Sequence, residues 1–365
     1  MKRQDVEGWV SRQAEVLGCW ASATLGTLTW TLMAGRRLGV TVLGLAMRPT
    51  TSIKHRIKRV DRFLGNGRVD VTVMFEVLGR LWWRGRKRVL MALDWTELRG
   101  GFQALVLSVI AHGRGVPIAW QVVTQRRFLR SQNAFEEGLL LLVESYWPKE
   151  VERVVLADRG FGRADLMGFL AAHGWGYVLR ANPKVWVRDR SGREYLWGDR
   201  PVLGDQVLWI RGAGYRIKRN RVETDLVWTW QAKQREAWYL TTNLLDRHRA
   251  TQVVRWYGRR MWIEEMFRDG KNERWGMGLK EARLRQPSRW ERLLLIWAWA
   301  LLVLMLLGRA ARELGWDTGL CSSSRTRLKK HPVLSDLTIG LRVLHELDVP
   351  ISTMLKLLRK IKTWG

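Results

Sequence analysis

The feature that most constrains the fold is a series of apolar runs and helical patterns between residues 84 and 181. Three consecutive runs, VLMALDWTEL, FQALVLSVIAHG and VPIAWQVVTQ, are joined by glycine-containing turns and predict an antiparallel meander. After them come an amphipathic helix over Ala134–Trp147, an apolar strand in VERVVLADRG, a helix over Arg163–His173 and a strand in GWGYVLRA. This order predicts an α/β fold, a mixed sheet of five strands with flanking helices.

Two carboxylates follow directly on apolar strand residues. Asp94 lies inside the first strand, where an ionised group is costly unless it is paired or bound to a metal. Asp158 ends the strand in VVLA, at the edge where open α/β sheets place their functional sites. An ion pair with an arginine would equally explain Asp94, and a helix cap would explain Asp158. From the residues alone, both interpretations stay open.

A third carboxylate lies between Gln252 and Glu281. At 3.6 residues per turn, four side chains fall within roughly 60° of one another on a helix, namely Tyr257, Arg260, Glu264 and Lys271. Trp256, Ile263 and Phe267 form an apolar stripe beside them. Taken alone, the pattern favours a solvated helix whose glutamate pairs with arginine or lysine. Asp94 and Asp158 make a functional site the better interpretation.

Three carboxylates from two strands and one helix could form an all-oxygen cage, which suits Mg²⁺ or Mn²⁺. Two such ions about 4 Å apart would activate a water or a 3′-hydroxyl and stabilise the leaving oxygen of an in-line displacement. No histidine pair or Cys-x-x-Cys has metal-ligand spacing, which argues against zinc. Three other acids fit the pattern less well: Glu97, Asp165 and Glu265.

The chain has 63 lysines and arginines against 34 acidic residues, a formal charge of +29. Such a charge recruits a polyanion, nucleic acid first and an acidic membrane surface second. The stretch TTSIKHRIKRVDRFLGNG predicts a basic amphipathic helix capped by Thr51 or Ser52, with Ile53, Ile57, Val60 and Leu64 as its apolar stripe. We favour DNA phosphate contact over a solvated or membrane-bound face for its cations, Lys54, Arg56, Lys58, Arg59 and Arg62.

The remaining features concern compartment and organisation. The 15-residue apolar run Leu293–Leu307 would span about 22 Å as a helix, short of a ~30 Å hydrocarbon core, so we expect a buried helix. Two cysteines, Cys19 and Cys321, give no disulfide framework, and no signal-peptide pattern is present, which fits the cytoplasm. We predict five regions: helical DNA-binding 1–83, core 84–181, β-strand insertion 182–237, core 238–309 and basic helical 310–365.

These motifs resemble those of DDE transposases of bacterial insertion sequences, in the group with a Tyr-x2-Arg-x3-Glu-x6-Lys signature. That signature is similar to Tyr257, Arg260, Glu264 and Lys271. The first acidic motif resembles LDWT at 93–96, followed by Gly115 and Pro117, and the second resembles ADRGFG at 157–162. The segment TSIKHRIKRVDRFLGN resembles the N-terminal region of the family, so the likeness covers nearly the whole chain up to about residue 310.

The resemblance implies an RNase H-like fold in which the first and fourth strands lie side by side. It implies Asp94, Asp158 and Glu264 as catalytic, metal-binding residues for two ions, and Tyr257, Arg260 and Lys271 as contacts to DNA phosphates. Relatives with a β insertion cut the second strand through a hairpin and hold a flipped base against aromatic side chains. The candidates, for which ordinary packing is the alternative, are Trp186, Trp197, Trp209, Trp228 and Trp230.

The expected function is therefore cut-and-paste transposition. The protein would bind the terminal inverted repeats of its element and join the excised ends to target DNA, as a homodimer on double-stranded DNA, with no membrane, in the bacterial nucleoid. Two alternatives stay open: an inactive, transposase-derived DNA-binding protein, and an RNase H-like nuclease without strand transfer.

Overall fold

A computed structural model of the protein describes residues 3–200, 202, 204–216, 221–231, 235–272, 276–320, 334–344 and 356. Residues 3–83 are helical, as predicted, and form α1 (Arg3–Gln13), α2 (Cys19–Gly35), α3 (Val40–Ala46), α4 (Ile53–Gly65) and α5 (Thr72–Trp83). The basic stretch at 322–330, nearly all of the stretch at 355–362, and Cys321 lie outside the described residues.

The predicted antiparallel meander is confirmed. Its strands are β1 (Arg88–Leu98), β2 (Phe102–Ala111) and β3 (Arg114–Thr124). The first turn contains Gly100 and Gly101, both at positive φ, where a side chain would be strained. Most side chains of these strands are buried, because helices cover the sheet.

The expected crossovers follow. Helix α6 (Gln125–Tyr146) leads to β4 (Glu152–Ala157), and α7 (Ala164–Ala172) leads to β5 (Gly176–Arg180). Strand β4 is parallel to β1 on one side and to β5 on the other. Helix α6 begins nine residues earlier than predicted and is kinked at Ser131 (φ −142°), so its first two turns point differently from the rest.

The sheet has ten strands rather than the expected five. The inserted region forms β6 (Trp186–Arg188), β7 (Glu194–Leu196), β8 (Val207–Tyr215) and β9 (Val222–Thr229), and the chain returns through β10 (Trp238–Thr242). Strand β10 pairs antiparallel with both β5 and β9, so the insertion extends the central sheet instead of forming a separate one. The strand order is β3-β2-β1-β4-β5-β10-β9-β8-β6-β7.

Four helices complete the described chain: α8 (Ala250–Gly258), α9 (Met261–Lys271), α10 (Pro287–Glu313) and α11 (Asp336–Val343). Helix α10 contacts α2, α4, β3 and α11 and joins the N-terminal helices to the sheet. The helix is longer than its 15-residue apolar run indicated, because it has 27 residues and is long enough to cross a membrane. The expected burial is confirmed, since 94% of its most apolar window is buried inside the protein.

Two glycines let α10 and α11 approach backbone to backbone. A Cβ atom on Gly308 would lie 1.7 Å from the Asp336 carbonyl oxygen, and one on Gly340 would lie 2.0 Å from that of Leu304. Neither oxygen can move without shifting a helix. Close packing of the last described helix therefore depends on these two positions.

We expect Gly308→Ala to lower the free energy of unfolding by about 1–3 kcal/mol or more, because the added methyl forces the helices apart. Gly168→Ala in α7 is the matched control, since a Cβ there meets no atom within 4 Å. That change should stabilise the protein by roughly 0.5–1 kcal/mol. Urea denaturation measures both, and equal effects would contradict the packing.

Candidate active site

The parallel pairing of β1 with β4 places two carboxylates beside each other. The register runs from Arg88 opposite Glu152 to Ala92 opposite Leu156, an offset of 64 residues. The same offset relates Asp94 to Asp158, which directly follows the last residue of β4. The charge of Asp158 raises the pKa of Asp94, in addition to the larger effect of burial, which shows that the two groups are close.

Asp158 also caps a turn, so the capping role considered from the sequence is present together with its place beside Asp94. Its side chain accepts a hydrogen bond of 2.9 Å from the N–H of Gly160, at the start of a short 3₁₀ turn. A Cβ atom on Gly162 would lie 2.3 Å from the Arg180 carbonyl oxygen in β5. The second glycine of ADRGFG is thus required for the turn to lie against the sheet. The turn fixes the direction of the Asp158 carboxylate.

The helix that carries Glu264 is broken, unlike the single helix that the spacing predicted. Helices α8 and α9 meet at Arg259 and Arg260, where successive N–H groups bond to carbonyls three residues back. This tighter turn alters the angles between the four predicted side chains. The apolar stripe is confirmed, since Trp256, Ile263 and Phe267 are buried.

Arg260 lies between two of the three carboxylates. Its Nη2 donates to Glu264 Oε1 at 2.6 Å, and its Nη1 lies 4.0 Å from Asp94 Oδ2. The guanidinium is itself buried, with a side chain 9% exposed. The helix break therefore brings Glu264 to Asp94 through a shared cation, so Asp94, Asp158 and Glu264 converge on one site.

The pKa of Asp94 is raised to about 7. Burial is the largest cause, the charges of Asp158 and Glu264 act in the same direction, and Arg260 opposes them. Such a carboxylate has less positive charge around it than its anion requires. Within the described residues, no three His, Cys, Asp or Glu side chains stand close enough to hold an ion as they lie here. The donor set, all carboxylate oxygen and short of positive charge, nevertheless fits a hard divalent cation.

Tyr257 and Lys271, predicted to contact DNA, differ in exposure. Tyr257 is 3% exposed, its ring packs edge-on against Trp238 at 4.9 Å, and the Arg260 guanidinium lies 5.9 Å from the ring centre. Such burial makes Tyr257 a support for Arg260 and leaves it little surface for a phosphate. Burial and the neighbouring Lys280 lower the pKa of Lys271, while the carboxylates of Glu97 and Asp94 oppose that shift. Lys271 thus lies within electrostatic range of the carboxylate site.

Glu136 on α6 is a site residue that the motifs did not reveal. It is fully buried and accepts hydrogen bonds from Trp95 Nε1 (2.8 Å), Gln132 Nε2 (2.9 Å) and the Arg163 guanidinium. Trp95 follows Asp94, and Arg163 follows the turn begun by Asp158. One buried carboxylate thus joins both acidic motifs. A sequence signal existed, because Glu136 interrupts the apolar stripe of Leu139, Leu140 and Val143.

The five candidate tryptophans fall into two groups. Trp197 and Trp228 are 0% and 5% exposed and pack against each other and Tyr239, which is the ordinary packing alternative. Exposed fractions of 40%, 56% and 49% are found at Trp186, Trp209 and Trp230. Of these, Trp186 lines a cavity of about 500 Å³ with Arg159 and Gly160, the residues directly after Asp158. Lys184 and Arg216 also line it.

The basic helix α4 forms as predicted, with Ser52 as its cap. The prediction of its apolar stripe is only partly correct, since Val60 and Leu64 are buried but Ile53 is 52% exposed. The cations also divide. Lys54, Lys58 and Arg62 are exposed.

Two predicted phosphate contacts of α4 are instead engaged within the protein. Arg56 is 9% exposed and donates to the carbonyls of Met47 (2.6 Å) and Leu45 (3.1 Å), which fastens α3 to α4. Arg59 is half-buried and donates to the Thr24 hydroxyl at 3.3 Å. For Arg56 the DNA-contact expectation is corrected, because its guanidinium faces inward.

We expect Glu136→Ala to lower the free energy of unfolding by about 3–5 kcal/mol, because it leaves Arg163 buried without its principal partner. Glu137→Ala is a matched control on the same helix. Its carboxylate lies 3.8 Å from Arg163 and is 34% exposed, so its loss should cost less than about 1 kcal/mol. Chemical denaturation compares them, and equal costs would show that Glu136 does not clamp the two motifs.

Comparison with known proteins assigns the family. A family model for the transposase DDE domain matches residues 85–303, more than half of the chain. A search of curated proteins finds no match. The matched segment begins just before β1, contains Asp94, Asp158 and Glu264, and extends into α10. Since a sheet, an acidic site and a family model coincide over the same residues, the chain belongs to the family of transposase DDE domains.

Proposed function

We propose that this transposase binds the terminal inverted repeats of a bacterial insertion sequence and moves that element by cut-and-paste transposition. Family membership supports an enzyme that acts on DNA. The observation that carries the proposal is the convergence of three carboxylates: Asp94 lies beside Asp158 in the β1–β4 register and shares the buried Arg260 with Glu264. The charge of +29 favours a polyanionic substrate.

Asp94, Asp158 and Glu264 would hold two Mg²⁺ or Mn²⁺ ions. Bound there, the ions supply Lewis acidity for the attack of water or a 3′-hydroxyl on a phosphodiester. The protein contributes positioning: the β1–β4 register holds Asp94 and Asp158, and Glu136 fixes the segments after them. Arg260 pairs with Glu264 and offsets part of the negative charge of Asp94.

Lys271 is the proposed phosphate contact of the signature. Its ammonium lies within electrostatic range of Glu97 and Asp94, and its lowered pKa reflects burial and the ammonium of Lys280. A bound phosphate would restore the charge balance around both lysines. Arg260 would reach the same phosphate from the carboxylate side, with Tyr257 supporting its guanidinium. On α4, we propose Lys54, Lys58, Arg62 and, in part, Arg59 as contacts to DNA outside the site.

We also propose that the core is RNase H-like and that the protein belongs to the group with the Tyr-Arg-Glu-Lys signature. Five neighbouring strands, in the order β3-β2-β1-β4-β5, support this, with the first and fourth strands side by side. Joining two transposon ends to target DNA requires two sites, which supports a homodimer on DNA. The place of action would be the nucleoid of a bacterial cytoplasm.

Second-strand cleavage through a hairpin is the proposed route, and Trp186 is the proposed holder of a flipped base. Its cavity begins at the residues after Asp158 and holds Arg159, Arg163 and Lys184, which suit the adjoining phosphate. Trp209 is exposed on β8 and Trp230 directly after β9. Trp186 is therefore the candidate that combines an aromatic face, cations and proximity to the site.

We expect Glu264→Gln to reduce cleavage of a labelled duplex carrying the element's end by at least about 100-fold in Mg²⁺. Glu265→Gln is the control, since Glu265 pairs with Arg268 on the surface, and it should change the rate by less than about twofold. If Glu264→Gln cut as well as the parent protein, the carboxylate assignment would be wrong. End binding without any cutting by the parent would indicate an inactive DNA-binding protein, and cutting without joining would indicate a nuclease.

Trp186→Ala should slow hairpin formation by about tenfold or more, because base–aromatic stacking contributes about 1–3 kcal/mol. First-strand nicking should stay within about twofold of the parent, since Trp186 lies outside the carboxylate site. Trp209→Ala serves as control for loss of an exposed tryptophan. Denaturing gels resolve nicks from hairpins, and equal effects of the two variants would contradict the choice of Trp186.

A further inference from the structure

Six exposed arginines from three chain segments surround the turn between β1 and β2, at the end of the sheet where the carboxylates lie. We call them the arginine rim: Arg99, Arg126, Arg127, Arg130, Arg283 and Arg285. None of them belongs to the signature or to α4. The sequence motifs gave no indication of them, because they come together only in the fold.

The first two turns of α6 form one side of the rim. The N–H of Gln125 donates to the Gly101 carbonyl at 2.8 Å, and Gln103 Nε2 donates to Gln125 Oε1 at 2.7 Å. Phe128 packs edge-on against Trp95 with ring centres 4.8 Å apart, and Trp95 directly follows Asp94. Arg126, Arg127 and Arg130 are thus fastened beside both the turn and the carboxylate site.

The segment before α10 forms the other side. Ala282 and Leu284 are buried at 1% and 6%, whereas Arg283 and Arg285 are exposed, the alternation of an extended chain. A Cβ atom on Gly100 would lie 3.7 Å from the Leu284 carbonyl oxygen, so this segment lies against the turn that contains Arg99. The same segment starts next to Lys280, the neighbour of Lys271. The rim therefore continues the cationic side of the site.

Among the described residues, the six guanidinium groups have no ion-pair partner. Over the described part of the chain, none of them makes an ion pair or a side-chain hydrogen bond. Elsewhere many arginines are paired, as Arg114 is with Asp269 and Arg268 with Glu265. Clustered like charges repel each other within a Debye length of about 10 Å. A polyanion would remove that repulsion, and guanidinium groups bind phosphate through paired hydrogen bonds.

We propose that the arginine rim binds the phosphate backbone of duplex DNA that flanks the scissile bond, independently of sequence. This inference rests on the proposed function, which places the scissile phosphate at Asp94, Asp158 and Glu264. DNA leaving that point towards the β1–β2 turn passes over the rim. Because the contacts are to phosphates, they position the duplex without reading bases.

The test is the salt dependence of affinity for a fluorescent duplex of unrelated sequence, measured with the full chain in Ca²⁺-free and Mg²⁺-free buffer. One variant changes Arg126, Arg127 and Arg130 to Gln, and a second changes Arg283 and Arg285 to Gln. Each lost phosphate contact should reduce the slope of log affinity against log salt by about 0.9, hence roughly 2.7 and 1.8 units. Thermal melting confirms that the variants are folded.

A matched control changes Arg84 and Lys149 to Gln. Both are exposed and lie before the first residues of β1 and β4, at the opposite edge of the sheet. The control should leave the slope within about 0.3 units. An unchanged salt slope in the rim variants would overturn the inference. An equal decrease of the slope in the control variant would also overturn it, because the binding would then depend on the overall positive charge of the protein.

Two further arms separate other outcomes. Tighter binding of the parent to phosphatidylserine vesicles or to duplex RNA than to duplex DNA at the same salt would overturn the choice of DNA. Cleavage of transposon ends is measured separately. If the parent cuts no DNA but the rim variants show a smaller salt slope of affinity, the proposed function is wrong and DNA binding by the arginine rim is supported. If the parent cuts DNA and the rim variants keep the salt slope of the parent, DNA binding by the arginine rim is wrong.

Discussion

The hydrogen-bonded pairing of β1 with β4 is the constraint on which the rest of the site depends. Because the strands are parallel and in register, Asp94 and Asp158, the residue directly after β4, lie at one edge of the sheet. Two anions so placed repel each other, and burial adds to the cost, as the raised pKa of Asp94 shows. The fold tolerates this because Arg260 and the Glu136 network surround the pair with compensating contacts.

Much of the fold could be predicted because its signals are local. Apolar runs with glycine turns determine the meander, and the crossovers follow from strand and helix lengths. The joining of the insertion to the core could not be predicted, since it depends on β10 pairing with β9 across a long sequence separation. The break at Arg259 and Arg260 was also missed, although Gly258 directly precedes it, because a single glycine inside a helical pattern is often tolerated without a break.

The candidate site was predictable to a similar degree. An acid within an apolar strand is conspicuous, so Asp94 could be found from chemistry alone. The exposure of each side chain could not be predicted, and exposure determines which cations can contact a ligand. Arg56 is buried, whereas Arg283 and Arg285 are exposed on an extended segment. Glu136 gave only a weak sequence signal, a charged residue on an apolar helix stripe. Many helices show this pattern for unrelated reasons. Partners that meet only in three dimensions give no signal in sequence.

The continuity of the ten-stranded sheet has a mechanical consequence. Backbone hydrogen bonds run without interruption from β1, which carries Asp94, to β6, which carries Trp186. Asp94 and Trp186 therefore lie on one continuous β-sheet, in which each strand is hydrogen-bonded to the next. On the proposed hairpin route, the DNA would therefore have to bend or unstack to reach both positions. Under that proposal, the deformability of the DNA would contribute to which sequences the protein can process.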